Sequence, residues 1–398
     1  MRTISPLDKS FPLALTGRDI TALDAPLSEF STPLFVVDGT AMRHNIDTMA
    51  VWSSSRGLEL MPHGKTTMAP ALWRRQLAAG ATGITVATGW QADVALRAGI
   101  PTVQIANAST DPRLLDRLDA WLAEHPEQEL VLWADSIETV EVIDGRRLGV
   151  LVELGATDGR TGARSEDHAV AVAERVAASP TLRLRGVAGY EGALAHERTP
   201  EALAIVRAYC DRLAALVERI RPLVDGTPWL SGAGSAYFDV VAEAFADVEN
   251  ARRILRSGAY LVHDSGFYRG ISPLDETRGV PSGDAFHAAM IGYARVVSQP
   301  EPGLALLDAG KRDLPFDEGL PTPVAVADEI GGPERPINAE ITALNDQHAF
   351  LRWTGDAPVT IGGVVRLGLS HPCTAFDKWR LVPIAENGVV TEAVETFF

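Results

Sequence analysis

A chain of 398 residues with 46 % apolar and 22 % charged side chains is ordinary globular material, too long for one small core and far from disordered or fibrous composition. Lys and Arg number 36 against 52 Asp and Glu, and the net charge of −16 opposes binding to nucleic-acid phosphates or an anionic membrane. No stretch has the length and apolarity of a signal peptide or a membrane span, and two cysteines, Cys210 and Cys373, allow at most one bridge, so a cytoplasmic protein is expected.

In chain order, short β-branched runs alternate with helical stretches from residue 58 onward. The runs are LELMP at 58, GITVA at 83, TVQIAN at 102, LVLWAD at 130, GVLVEL at 149, LRGVAGY at 184, TPWLSG at 227 and SGAYLVH at 257. Segments with helical periodicity lie between them, such as APALWRRQLAAG and PEALAIVRAYCDRLAALVERI, the latter placing Cys210 in a helix core. Eight runs with intervening helices predict an α/β fold, a (β/α)8 barrel over residues 31–265. Beyond it the texture becomes rich in Pro and Gly with short alternating runs such as HAAMIGYARVVSQ and PVTIGGVVRLGL, which predicts an antiparallel β domain over 266–398. Residues 1–30 are expected to pack on that second domain.

Functional groups of a parallel barrel gather where its strands end. The first run ends in PHGKT, where Lys65 is either a solvated surface lysine or an amine presented for covalent work on a carbonyl compound. After the seventh run comes Ser231-Gly232-Ala233-Gly234-Ser235, whose glycines let backbone N–H groups approach a ligand; such clusters are common as plain turns, but loops after strands seven and eight are where barrels build phosphate sites. Gly258 and Tyr260 lie where the eighth strand could complete one. His371 and Cys373, two apart, share a face if they lie on a strand and could share an ion, the alternative being a packed cysteine beside a hydrogen-bonded histidine.

A lysine facing a phosphate cradle implies a phosphorylated aldehyde, pyridoxal 5'-phosphate, held covalently on Lys65. Taken with TPLFVVDGTAMRHNI at 32 to 46, PHGKT, SGAGS and HPC at 371 to 373, the chain resembles the pyridoxal-phosphate enzymes of alanine racemase-like fold (fold type III), in the branch of D-serine dehydratases and D-threonine aldolases. The resemblance covers nearly the whole chain. It departs from the branch pattern at Met61, Thr67 and Met68, which points to a divergent amino acid deaminase-like subgroup.

The resemblance implies roles for further residues. Arg160 in DGRTG is similar to an arginine beside the cofactor ring, the alternative being a solvated loop arginine. Tyr190 in GYEG would face the cofactor or serve as a core tyrosine, and His63 would orient the cofactor or plug the barrel. His348 in NDQHAF matches a histidine that looks onto the active site in relatives, the alternative being structural. His371 and Cys373 would hold a divalent metal, with Zn²⁺ suited to that ligand pair. The activity implied is dehydration of β-hydroxy D-amino acids, a D-serine-like substrate giving keto acid and ammonia, in a homodimer. Retro-aldol cleavage of a D-threonine-like substrate and non-catalytic cofactor binding are the alternatives.

Overall fold

The structure is a computed structural model that describes residues 2–157 and 159–398. Eight parallel strands form its first layer: Glu59–Leu60, Ile84–Val86, Thr102–Ile105, Glu129–Ala134, Gly149–Glu153, Arg183–Ala188, Trp229–Gly232 and Arg252–Leu255. The first pairs with the eighth, and the order then runs back through the seventh to the second. Between first and second the ring is closed by Thr82 N–H to the Leu60 carbonyl at 2.8 Å, Thr85 N–H to that of Pro62 at 2.9 Å, and a parallel bridge from His63 to Thr85. The predicted barrel is therefore present. Met61, Val131, Trp133, Leu151, Ala188, Trp229 and Ile254 fill its interior, so it is a packed core rather than a pore.

Helices wrap the outside, and their starts follow capping rules. Asp111, Ser165 and Thr199 each accept a first-turn N–H with their side chain. The helix Pro200–Ile220 turns Val206, Tyr209, Cys210, Leu213, Leu216 and Val217 inward, so Cys210 is a packed core residue.

One barrel strand differs from its expected place. The eighth is Arg252–Leu255, whereas SGAYLVH forms a loop and the 3-10 turn Ala259–Leu261. The two arginines disguised the strand. Arg252 pairs with Glu59 at 2.6 Å and Arg253 reaches the Ala246 carbonyl at 2.8 Å, both at the barrel end away from the strands' C-termini.

The second sheet has eleven strands and is antiparallel except at one pairing. Leu34–Asp38, expected at the head of the barrel, lies in this sheet: it pairs antiparallel with Met290–Tyr293 and parallel with Ile384–Ala385. Met290–Glu301 also pairs with Val364–Gly368, which leads into the HPC segment. The N-terminal segment packs here, with Phe11, Ile20, Leu23, Leu27 and Phe30 against Leu381, Val390 and Ala393. Among the described residues no helix is long and apolar enough to cross a membrane.

Candidate active site

At the mouth where the barrel strands end, beneath the HPC segment, lies a cavity of about 370 Å³. Lys65 enters it from the 3-10 turn Gly64–Thr66 that follows the first strand. A side chain at position 64 would come within 2.7 Å of Trp73 Nε1, so glycine is what lets this turn fold back onto the barrel. Lys65 itself is exposed to the cavity.

Across the cavity stand Gly234, Ser235, Gly258 and Ala259. Ser235 Oγ accepts the Ala259 N–H at 3.1 Å, which ties the loop after the seventh strand to the loop after the eighth. A Cβ on Gly258 would meet the His63 carbonyl at 2.5 Å, so the backbone approaches there because no side chain intervenes. Ser231, Gly232 and Tyr260 do not line the cavity, which corrects their expected place at a phosphate. Both Ser231 and Gly232 still belong to the strand: Ser231 Oγ turns into the barrel toward Gln104 at 3.2 Å, and Gly232 packs against Phe245. Tyr260 is buried, its hydroxyl accepting from Gln76 Nε2 at 2.9 Å.

The floor holds a residue that the sequence reading missed. Arg256 is 3 % exposed, donates to Ser231 Oγ at 2.8 Å and to the Gly189 carbonyl at 2.6 Å, and lies 4.8 Å from the Trp133 ring centre. Its guanidinium puts a fixed positive charge under the cavity. Asn107, Trp133 and Tyr268 also line it unforeseen. The signal for Arg256 is its position two residues before Gly258, at the end of the eighth strand Arg252–Leu255.

Arg160 reaches the rim with its guanidinium 4.9 Å from the Tyr190 ring centre. Two carboxylates hold its loop: Glu153 Oε1 accepts from Thr161 Oγ1 at 2.8 Å and Asp135 Oδ2 from the Gly162 N–H at 3.0 Å. Burial pushes the Tyr190 hydroxyl up to about 12, so it stays protonated. Enclosure, with the charges of Lys65 and Arg256, keeps the His63 imidazole neutral.

His371 and Cys373 do reach the same cavity, although not from a strand. Cys373 lies in the 3-10 turn Pro372–Thr374, and His371 precedes it with φ of 54°, a left-handed conformation unusual for its residue type. Its N–H is held by Asp264 Oδ2 at 3.1 Å and its Nδ1 donates to Asp317 Oδ2 at 2.6 Å. Cys373 Sγ lies 3.4 Å from Thr66 Oγ1, beside Lys65. Burial alone would press the imidazole down and the thiol up. Each other's charge, with Asp317 on the imidazole, outweighs it: His371 rises to about 9 and Cys373 falls below its ordinary value. His348 lies elsewhere, lining a separate cavity with Lys9, Asp308 and Asp313, because it sits in the turn between Glu340–Leu344 and Ala349–Arg352, the two strands that end the order of the second sheet.

These residues fit pyridoxal phosphate on the chain's own evidence. Lys65 stands free to bond an aldehyde, the glycine-lined side admits a phosphate, and the enclosed His63 Nδ1 and Trp133 Nε1 at the cavity wall have no hydrogen-bond partner among the described residues. For a metal, a cysteine sulfur beside an imidazole already oriented by a carboxylate is a suitable donor pair. Among the described residues no group of three or more His, Cys, Asp or Glu side chains could hold an ion.

Known proteins share this plan. Residues 37–261 match the alanine racemase N-terminal domain and residues 289–385 the putative serine dehydratase domain. The D-threonine aldolase of Arthrobacter sp is 28 % identical over 377 residues, 93 % of each chain. Similarity to the D-threo-3-hydroxyaspartate dehydratase of Delftia sp. (strain HT23) is 28 % over 305 residues, 74 % of this chain and 75 % of that one. The crystal structure of D-threonine aldolase from Filomicrobium marinum superposes with a TM-score of 0.81 at 26 % identity, covering 95 % of this chain and 98 % of the other. A barrel mouth with a free lysine, a domain match over more than half the chain and a whole-chain structural likeness make this protein a member of the alanine racemase-like, fold type III family of pyridoxal-phosphate enzymes.

Proposed function

We propose that this protein is a pyridoxal-phosphate and divalent-metal-dependent lyase that removes water from β-hydroxy D-amino acids, the released enamine then taking up water to give a keto acid and ammonia. The observation that carries the reading is the meeting of Lys65, Thr66, His371 and Cys373 in one cavity. Lys65 would hold the cofactor, Gly234, Ser235 and Gly258 its phosphate, and His63, Arg160, Tyr190 and Arg256 its ring. The cofactor, when bound, supplies an electron sink for negative charge at the substrate's Cα.

Lys65 Nζ is the base of this scheme: once the substrate's amine has released it, it takes the Cα proton. Arg160 and Tyr190 would orient the ring, and Arg256 would keep a positive charge in the cavity wall throughout. His371 and Cys373 would hold the metal, probed first as Zn²⁺, which supplies Lewis-acid help to a poor leaving group, the β-hydroxyl. Asp317, bonded to His371 Nδ1, fixes which ring nitrogen is left for the metal. A cytoplasmic homodimer is part of the same reading.

The dehydration reading is favoured by a relative of that activity with the same ligand spacing. A relative named D-threo-3-hydroxyaspartate dehydratase has been solved with a histidine replaced by alanine and, two positions on, with a cysteine replaced by alanine in a metal-free form, the spacing of His371 and Cys373. The second reading, retro-aldol cleavage, is favoured by the D-threonine aldolase that aligns over 93 % of both chains. Purified protein should be assayed with D-serine, D-threonine and D-threo-3-hydroxyaspartate, with and without chelator. Keto acid and ammonia, lost on chelation, are expected. Glycine plus aldehyde would replace the proposal with the aldolase reading, and borohydride labelling of a lysine other than Lys65 would refute the cofactor assignment.

A further inference from the structure

Glu191 lies just outside the cavity and takes no part in the scheme above. It follows Tyr190 at the end of the sixth barrel strand and is 0 % exposed. Its two oxygens each accept one backbone N–H from the glycine-rich loop: Oε1 from Gly234 at 2.6 Å and Oε2 from Ala233 at 3.2 Å. Those are two amides that such a loop would ordinarily offer to an anion. They turn back to a carboxylate, and the loop reaches the cavity with Gly234 and Ser235.

The conformation of the loop shows why it needs a hold. Ala233 has φ of 68°, a left-handed backbone that alanine disfavours and glycine would accept freely. Gly234 next to it leaves only 2.9 Å between a would-be Cβ and the Tyr190 ring. Ser257 Oγ donates to the Gly234 carbonyl at 2.9 Å from the other side. The segment is thus gripped at both its N–H groups and its carbonyl, and Glu191 supplies the N–H grip.

We propose that Glu191 is a positioning residue that pre-forms the phosphate-facing loop, holding Ala233 and Gly234 in the shape that presents Ser235 to the cofactor's phosphate. The inference rests on the pyridoxal-phosphate reading. A carboxylate suits this task because it accepts on both oxygens. An amide of the same shape would turn an NH2 group toward one of the two N–H donors.

The test uses the full chain stripped of cofactor with hydroxylamine and titrated, by absorbance, with pyridoxal phosphate and with pyridoxal, which lacks the phosphate. In Glu191→Gln the affinity for pyridoxal phosphate should fall about tenfold or more, while that for pyridoxal stays within about twofold of wild type. A side chain that merely filled space would leave Glu191→Gln silent, and one that merely supported the barrel would weaken both aldehydes alike; either result overturns the proposal. Should the variant fail to fold, hydrogen exchange on the cofactor-free wild type decides. The amides of Ala233 and Gly234 should be protected before any phosphate is added, and protection that appears only with inorganic phosphate or cofactor would overturn it. Wild-type protein that binds neither aldehyde would remove the cofactor reading and this inference together, a result distinct from unaltered preference in the variant.

Discussion

Glu153 closes the fifth barrel strand and is 5 % exposed, with Oε1 bonded to Thr161 and Oε2 lacking any partner among the described residues. Burial lifts its carboxyl from an ordinary 4.5 to about 7, against the hydrogen bond from Thr161 and with Asp135 adding to the rise. An acid whose pKa is higher in the fold than in the unfolded chain keeps its proton in the fold after the unfolded chain has lost it. Its contribution to stability is therefore complete below about pH 4.5 and is lost as pH climbs to about 7, a total of about 3 kcal/mol. Glu153→Gln mimics the protonated form at every pH. Urea unfolding of cofactor-free wild type and variant at about pH 5 and about pH 8 should show the wild type losing about 2 to 3 kcal/mol more than the variant across that interval. Identical pH slopes would show that Glu153 is already ionised, or hydrated, in the fold, and the argument that burial raises its pKa would fail.

The depressed thiol of Cys373 and the strongly raised thiol of Cys210 predict selective alkylation: in metal-free protein near neutral pH, iodoacetamide should modify Cys373 and spare Cys210, and added Zn²⁺ should protect Cys373. Equal labelling of both would refute the charge arrangement at the HPC turn. Asp264 accepts from Gly266 N–H and Tyr268 N–H on one oxygen, each at 2.9 Å, and from His371 N–H on the other. Asp264→Asn should keep the first pair and lose the second contact, weakening metal affinity about tenfold, as measured by competition with a chromophoric chelator. Unchanged affinity would mean that the left-handed conformation of His371 is held by the Pro372–Thr374 turn alone.

The barrel was legible because its parallel strands are buried on both faces and read as short apolar runs, and because helices of ordinary length separate them. The eighth strand escaped for a related reason. Arg252 and Arg253 replace apolar residues where that strand starts, at the solvated end of the barrel, whereas the apolar SGAYLVH beside it owes its composition to the interface between the two sheets. Leu34–Asp38 has the composition of a strand in either layer, and only its partners, Met290–Tyr293 and Ile384–Ala385, assign it. Pairing across such separations leaves no local mark. At the cavity, glycine and lysine signalled themselves by residue type at strand ends. Arg256 and Glu191 did not, because a buried charge is defined by what surrounds it, and the glutamate of GYEG carries no local mark of its burial.

The strand Leu34–Asp38 bears on how the chain is made. Its antiparallel partner Met290–Tyr293 follows roughly 250 residues later, and at translation rates of about 5 to 20 residues per second the strand waits on the order of 10 to 50 seconds for that partner. Through that interval Leu34, Phe35, Val36 and Val37, all buried in the finished protein, have nowhere of their own to pack. The barrel can meanwhile assemble from strands that are neighbours in sequence. The last residues, Leu381–Glu395, then enclose the waiting strand from its other edge. Segments that follow the barrel in sequence thus close on a strand that precedes it, and a ribosome stalled before Met290 would leave that strand unpaired and sticky.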